Sequence, residues 1–79
     1  MNIFDQAVAN VIRKFREGKG FSQEELAWKA ELHRTYISQL ERGLKSVTMK
    51  TLFKISTELE VEFDIFTKEI INEFEKLSA

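Results

Sequence analysis

Apolar residues recur every three to four positions along nearly the whole chain, the period of one face of an α-helix. Five runs of this kind, parted by short polar or glycine-containing breaks, predict five helices. The first, about residues 3 to 17, places Phe4, Val8, Val11, Ile12 and Phe15 on one stripe. It stops at Gly18-Lys19-Gly20, where glycine supplies the left-handed conformation of a C-cap. The second opens at Ser22, with Glu25 three residues on as a capping box and Phe21 and Leu26 spaced as a hydrophobic staple. The third runs from about residue 34 to 42 and ends at Gly43. The fourth opens at the N-cap Thr48 and carries Met49, Leu52, Ile55 and Leu59 inward. The fifth covers about residues 63 to 77. With no proline, repeat or visible linker, the expectation is one compact all-α, five-helix domain over residues 1–79.

Only Glu31-Leu32-His33 separates the second helix from the third, so residues of about 22–42 form a helix-turn-helix. Leu26, Ala30, Ile37 and Leu40 are apolar where the two helices cross, Ala27 is small where they approach closely, and Leu32 plugs the turn. Trp28 is expected to be a partly buried prop. Pinning Ile37 and Leu40 inward leaves Arg34, Thr35, Ser38 and Gln39 outward and Tyr36 at the rim. Such side chains bond base edges and phosphates, and a helix of this width fits the major groove of B-form DNA. Arg34 can donate two bonds to guanine O6 and N7, Thr35 can meet a thymine methyl or a base edge, and Gln39 can read adenine. Tyr36 can reach bases or phosphate. Arg42, Lys45, Ser46 and Lys50 follow this helix and are expected to line the phosphate backbone, where contacts position without reading sequence.

The net charge of −1 taken alone opposes nucleic-acid binding, but it averages two unlike parts. Residues 1–54 hold ten Lys/Arg against six acids, a net of +4, and residues 55–79 hold two against seven, a net of −5. Attraction to phosphate acts within about 8–10 Å, so the local sign decides and the acidic end should face away from a duplex.

Other chemistries find no support. The chain has no cysteine, hence no disulfide or thiolate metal site, and its one histidine, His33, lacks the further ligands of a metal site or a nucleophile to activate. No glycine-rich phosphate loop is present. Neither enzyme, cofactor nor metal is expected. With no leader and no apolar run near the ~20 residues that span a bilayer, a cytoplasmic protein is expected.

The fifth helix is more apolar than a terminal helix of so small a domain needs. Phe63, Phe66, Ile70, Phe74 and Leu77 form one face, and Ile65 and Ile71 add surface beside it. A symmetric partner is the economical explanation, with Phe53 and Val61 joining the interface. A homodimer would carry its two reading helices about 34 Å apart, one turn of DNA, and so bind inverted repeats.

The run S-Q-E-E-L-A-x-K-A-x-L-x-R-T-Y-I-S-x-L-E-R-G, followed by T-x-x-T-L-x-K-I-x-x-x-L, resembles the Cro/C1-type (XRE) repressor family over about residues 8–61. Size, the R-T-Y-I-S helix and the apolar fifth helix are most similar to controller proteins of restriction–modification systems. The resemblance implies a lambda-repressor-like fold and a homodimer on palindromic operators that activates and represses its own operon, with RNA polymerase as a further partner. An acid is out of place on a helix that should meet phosphate, so Glu41 is expected to point inward; the resemblance implies that it pairs with Arg16, and that Gln23 and Ser38 bind phosphate. A phage or plasmid repressor, or an antitoxin-like regulator that binds another protein, is the alternative. Two positions depart from the family pattern: Glu31 begins the turn where glycine is usual, and His33 caps the third helix where Ser or Asp is usual.

Overall fold

A computed structural model describes residues 2–79 and contains the five helices expected: α1 (Ile3–Gly18), α2 (Gln23–Lys29), α3 (Arg34–Glu41), α4 (Met49–Glu58) and α5 (Phe63–Ser78). Local side-chain chemistry accounts for three of the five starts. Asn2 accepts from the amides of Phe4 and Asp5, Ser22 from that of Glu25, and Thr48 from that of Thr51. His33 and Glu62 make no side-chain cap bond, so α3 and α5 begin without one.

Four helices end in the same way. After each, one residue turns left-handed: Gly20 (φ 74°), Glu31 (φ 57°), Gly43 (φ 72°) and Glu60 (φ 60°). The following amide then reaches back across the last turn, Phe21 to Arg16, Leu32 to Ala27, Leu44 to Gln39 and Val61 to Ser56, at 2.8–3.1 Å. These are Schellman caps, which satisfy carbonyls left over at a helix end. The turn between α2 and α3 therefore keeps its usual shape with glutamate in place of glycine, at a cost of about 1–2 kcal/mol for the left-handed backbone.

α1 lies between α5 and α3, α2 crosses α3, and α4 closes the domain against α5 and α2. Ile12, Leu26, Ile37, Leu40, Ile55, Leu59 and Phe66 are fully buried at the centre. Ala27 is buried where α2 meets α3, and Leu32 packs on the core from the turn, as their sizes predict. Phe15 meets Phe66 at 5.7 Å between α1 and α5. The radius of gyration, 11.4 Å, matches the roughly 12 Å of a fully packed chain of this length, so α5 does not project from the domain.

The structure corrects three expectations of burial. Trp28 is 79% exposed rather than a partly buried prop, because α2 is only two turns long and turns Leu26 and Ala27, not Trp28, toward the core. Met49 is 69% exposed in the first turn of α4, whose inward face is Leu52, Ile55, Ser56 and Leu59. Phe66 and Ile70, expected at a dimer interface, are 0% and 2% exposed within the chain's own core. Of the other residues expected at that interface, Phe53 and Ile65 are exposed, and Val61, Phe63 and Phe74 are half-buried, Phe74 against Phe4 at 5.8 Å. Exposed Ile71 and Leu77 lie farther along α5.

Candidate nucleic-acid interface

α3 is fastened by its inner side and free on its outer one. Ile37 and Leu40 are fully buried, and Glu41, at 3% exposure, is a charged side chain inside the domain. Its carboxylate takes two bonds from Arg16, Nε to Oε2 at 2.6 Å and Nη2 to Oε1 at 2.9 Å, and a third from Gln23 Nε2 at 3.1 Å. Arg16 also donates Nη1 to the Phe21 carbonyl at 2.7 Å. Hydrogen bonding by Glu41 holds the Arg16 guanidinium above its ordinary pKa against the opposing effect of desolvation. The expected Arg16–Glu41 pair is thus present, bidentate and shielded. It joins the end of α1 to the end of α3 and, through Gln23, to the start of α2.

The outer side of α3 starts with exposed Arg34 and Thr35, followed by half-buried Tyr36, Ser38 and Gln39. Tyr36 packs against the core by its ring and so sits at the rim, as expected. None of these five side chains is tied by a hydrogen bond among the described residues, so their donors and acceptors remain available to a ligand. Arg42, Lys45 and Lys50 are exposed on and beyond the C-terminal end of α3.

Two expected phosphate binders are already engaged. Gln23 gives one amide hydrogen to Glu41, which leaves its second for another acceptor. Ser46 Oγ lies 2.9 and 3.1 Å from the Asp5 carboxylate oxygens and donates there, fastening the loop after α3 to the first turn of α1. The Asp5 contact joins residues 41 apart, and neither residue type nor spacing announced it. Arg13, also missed, is half-buried and donates Nη1 to the Glu41 carbonyl at 2.9 Å. That carbonyl lies beyond those satisfied by the Schellman cap, and an arginine at a helix C-terminus suits both the free acceptor and the helix dipole.

Between α1 and α5, Lys14 bonds half-buried Glu69 at 3.0 Å. Among the described residues, no group of three or more His, Cys, Asp or Glu is placed to hold a metal ion, and no helix is long and apolar enough to cross a membrane.

A short helix that carries unengaged Arg, Thr, Tyr, Ser and Gln outward, braced from behind by a second helix across the four-residue turn 30–33, defines a helix-turn-helix protein. The chain belongs to the helix-turn-helix family, which it matches over residues 12–66. Among its relatives, the control protein C.BamHI of Bacillus amyloliquefaciens is 46% identical over 52 residues, covering 65% of this chain and 64% of that protein. The chain thus matches just under two thirds of that relative's length. Control protein C.MunI of a Mycoplasma species is 34% identical over 77 residues, 96% of this chain and 99% of the relative. In three dimensions the chain is similar to the restriction–modification controller protein C.Esp1396I, solved as a tetramer with its natural 35 base-pair operator. There the TM-score is 0.86 at 40% identity, with 94% of this chain and 97% of that one covered. Structures of that controller also exist for alanine variants at three consecutive positions, an arginine, a threonine and a tyrosine. That order of residues occurs in the present chain only at Arg34-Thr35-Tyr36.

Proposed function

We propose that this protein is a sequence-specific DNA-binding regulator of transcription, a homodimer that controls a restriction–modification operon through an inverted-repeat operator upstream of its own gene. The observation that carries this reading is the exposed, unengaged Arg34-Thr35-Tyr36 row on a rigidly braced α3, in a domain that superimposes on an operator-bound controller. Arg34 would read guanine, Thr35 and Gln39 would meet neighbouring base edges, and Tyr36 would reach bases or phosphate. Ser38, Arg42, Lys45 and Lys50 would hold the backbone, with Gln23 using its remaining amide hydrogen. Ser46 would contribute only by exchanging Asp5 for a phosphate-bound arrangement, so it is the weakest member of that set.

Dimerisation rests on the apolar surface the fold leaves uncovered. A domain of this size buries only about 60% of its extended-chain surface and gains stability from a partner. The rings of Phe53 and Phe63 meet edge to face at 5.4 Å where α4 and α5 converge, with Phe53 55% exposed. With Val61 and Ile65 they supply a patch that a second copy can cover about a twofold axis. Occupancy of a promoter by the dimer accounts for repression. Activation requires in addition a contact with RNA polymerase, which transcription reconstituted from purified components tests.

The decisive experiment is binding to a duplex taken from upstream of its own gene, with footprinting. The expected result is protection of two half-sites about 34 Å apart and affinity that falls steeply as salt rises from 50 to 200 mM, by about 10³-fold or more if six or more phosphates are contacted. A chain that stays monomeric and binds no inverted repeat overturns the proposal.

A further inference from the structure

We propose that Asn10 and Arg13 are positioning residues that carry the orientation of α5 to the reading helix α3 and so fix the half-site spacing the dimer accepts. The inference rests on the reading of this chain as a dimeric DNA-binding regulator. Its basis is a line of hydrogen bonds across three helices. Asn10 Nδ2 donates to Glu73 Oε2 of α5 at 2.8 Å, Arg13 Nη2 donates to Asn10 Oδ1 at 2.9 Å, and Arg13 Nη1 donates to the Glu41 carbonyl of α3 at 2.9 Å. Asn10 Oδ1 takes a further bond from Gln6 Nε2 at 2.8 Å.

The amide of Asn10 has two donors aimed at its oxygen and a carboxylate at its nitrogen, so only one of its two orientations satisfies all three neighbours. Arg13 is equally constrained, with one nitrogen on Asn10 and another on the carbonyl that the α3 cap leaves free. Asn10, Arg13 and Glu73 are half-buried, and Glu41 is buried, so these bonds are partly shielded from water. The other surface tie between α1 and α5, Lys14 to Glu69, is an exposed pair of the kind that contributes little.

A directional tie is needed here. α5 meets α1 mainly through apolar contacts such as Phe15 on Phe66, and hydrophobic burial is non-directional, leaving small slides and rotations cheap. The Arg16–Glu41 pair locks α3 to α1 but does not reach α5. In a dimer joined through α4 and α5, the angle between α5 and α3 sets where each reading helix lies. One inserted base pair moves the half-sites apart by about 3.4 Å and turns them by about 35°. The relay makes the domain stiff enough to notice that change.

The test uses the full chain and the inverted repeat that the wild-type protein selects from a randomised duplex library, with zero, one or two base pairs inserted at its centre. Affinities are read by fluorescence anisotropy, beside the thermal midpoint and the dimer dissociation constant of each protein. Wild type should lose about tenfold or more per inserted pair, as two rigidly held reading helices cannot both stay in register, whereas Glu73→Ala and Asn10→Ala should lose about threefold or less. Glu73→Gln keeps an acceptor for Asn10 while removing the charge, and should discriminate like wild type. Should Asn10→Ala unfold, Glu73→Ala, altered at a half-exposed surface position, decides the matter alone. Equal spacing penalties for Glu73→Ala and wild type overturn the relay, as does a Glu73→Gln protein that behaves like Glu73→Ala. A wild-type dimer indifferent to spacing overturns it as well. Failure of the wild type to select any inverted repeat is a different result, and removes the proposed function itself.

Discussion

Replacing Glu41 by alanine takes away the acceptor at the junction of α1, α2 and α3. Two bonds from Arg16, at 2.6 and 2.9 Å, and one from Gln23, at 3.1 Å, go with it. Removing one partner of a buried pair costs about 3–5 kcal/mol, because the remaining charge stays desolvated without compensation. Arg16 keeps its bond to the Phe21 carbonyl, and its side chain is 12% exposed, so water reaches part of it. The lower end, about 3 kcal/mol, is therefore expected. At about 0.05–0.15 kcal/mol per residue a chain of this length is stable by only about 4–12 kcal/mol, so the loss removes a quarter or more of the total. The thermal midpoint should fall by about 12–24 °C, at about 4–8 °C per kcal/mol for a domain of this size. Urea unfolding followed by circular dichroism measures the change, at one fixed protein concentration because dimerisation shifts apparent stability. Arg16→Met with Glu41→Leu removes both charges and should lie within about 1 kcal/mol of wild type, since a buried pair replaced by apolar groups is close to neutral. Because the pair is shielded, the Glu41→Ala loss should be alike in 0.1 M and 1 M salt. A loss below about 1 kcal/mol, or two single changes that simply add in the double variant, refutes the role given to this pair.

Four further outcomes are expected. Arg34→Ala should weaken binding to the selected operator by about 1–3 kcal/mol and relax one base position, as read by competition with singly substituted duplexes; equal weakening on every sequence removes Arg34 from base reading. Glu31→Gly relieves the left-handed backbone at φ 57° and should raise stability by about 1 kcal/mol in chemical denaturation, whereas no gain shows that the turn carries no strain. Ile65→Asp changes an exposed position on α5 and should leave helicity and the monomer's fold intact while shifting sedimentation to a monomer; an unchanged dimer moves the interface elsewhere. Hydrogen bonds from Lys19 to Glu60 and from Lys14 to Glu69 hold both carboxyls below the usual glutamate range. Their stabilisation is therefore complete above the unfolded-state value, near 4.3, and lost as pH falls through the lower folded values. The stability gap between wild type and a Lys14→Met, Lys19→Met variant should thus be present at pH 7 and close at strongly acid pH; a gap that persists in acid refutes it.

What could be read in the chain was what local chemistry decides. Ser22 and Thr48 start helices because a hydroxyl meets an amide three residues away, and Gly20 and Gly43 end them because glycine adopts a positive φ without strain. The spacing of Ile37 and Leu40 was enough to turn Arg34 and Thr35 outward, since one face of a helix dictates the other. Glu41 was legible only because its acid was out of place on a surface that should be basic, and the family resemblance supplied its partner.

Tertiary structure alone decided how much of each apolar stripe was used. Periodicity gives α5 a face but not its width, and burial of Phe66 and Ile70 beside exposure of Ile65 and Ile71 depends on which side of α5 packs on α1 and α4. Trp28 is apolar by type and exposed by position, because α2 turns Leu26 and Ala27 to the core instead. The contacts from Ser46 to Asp5, and from Asn10 and Arg13 to Glu73 and Glu41, join polar residues that lie 28 to 63 positions apart. Nothing local distinguishes such residues from solvated ones, since a hydrogen bond between distant helices exists only once apolar packing has brought their backbones together.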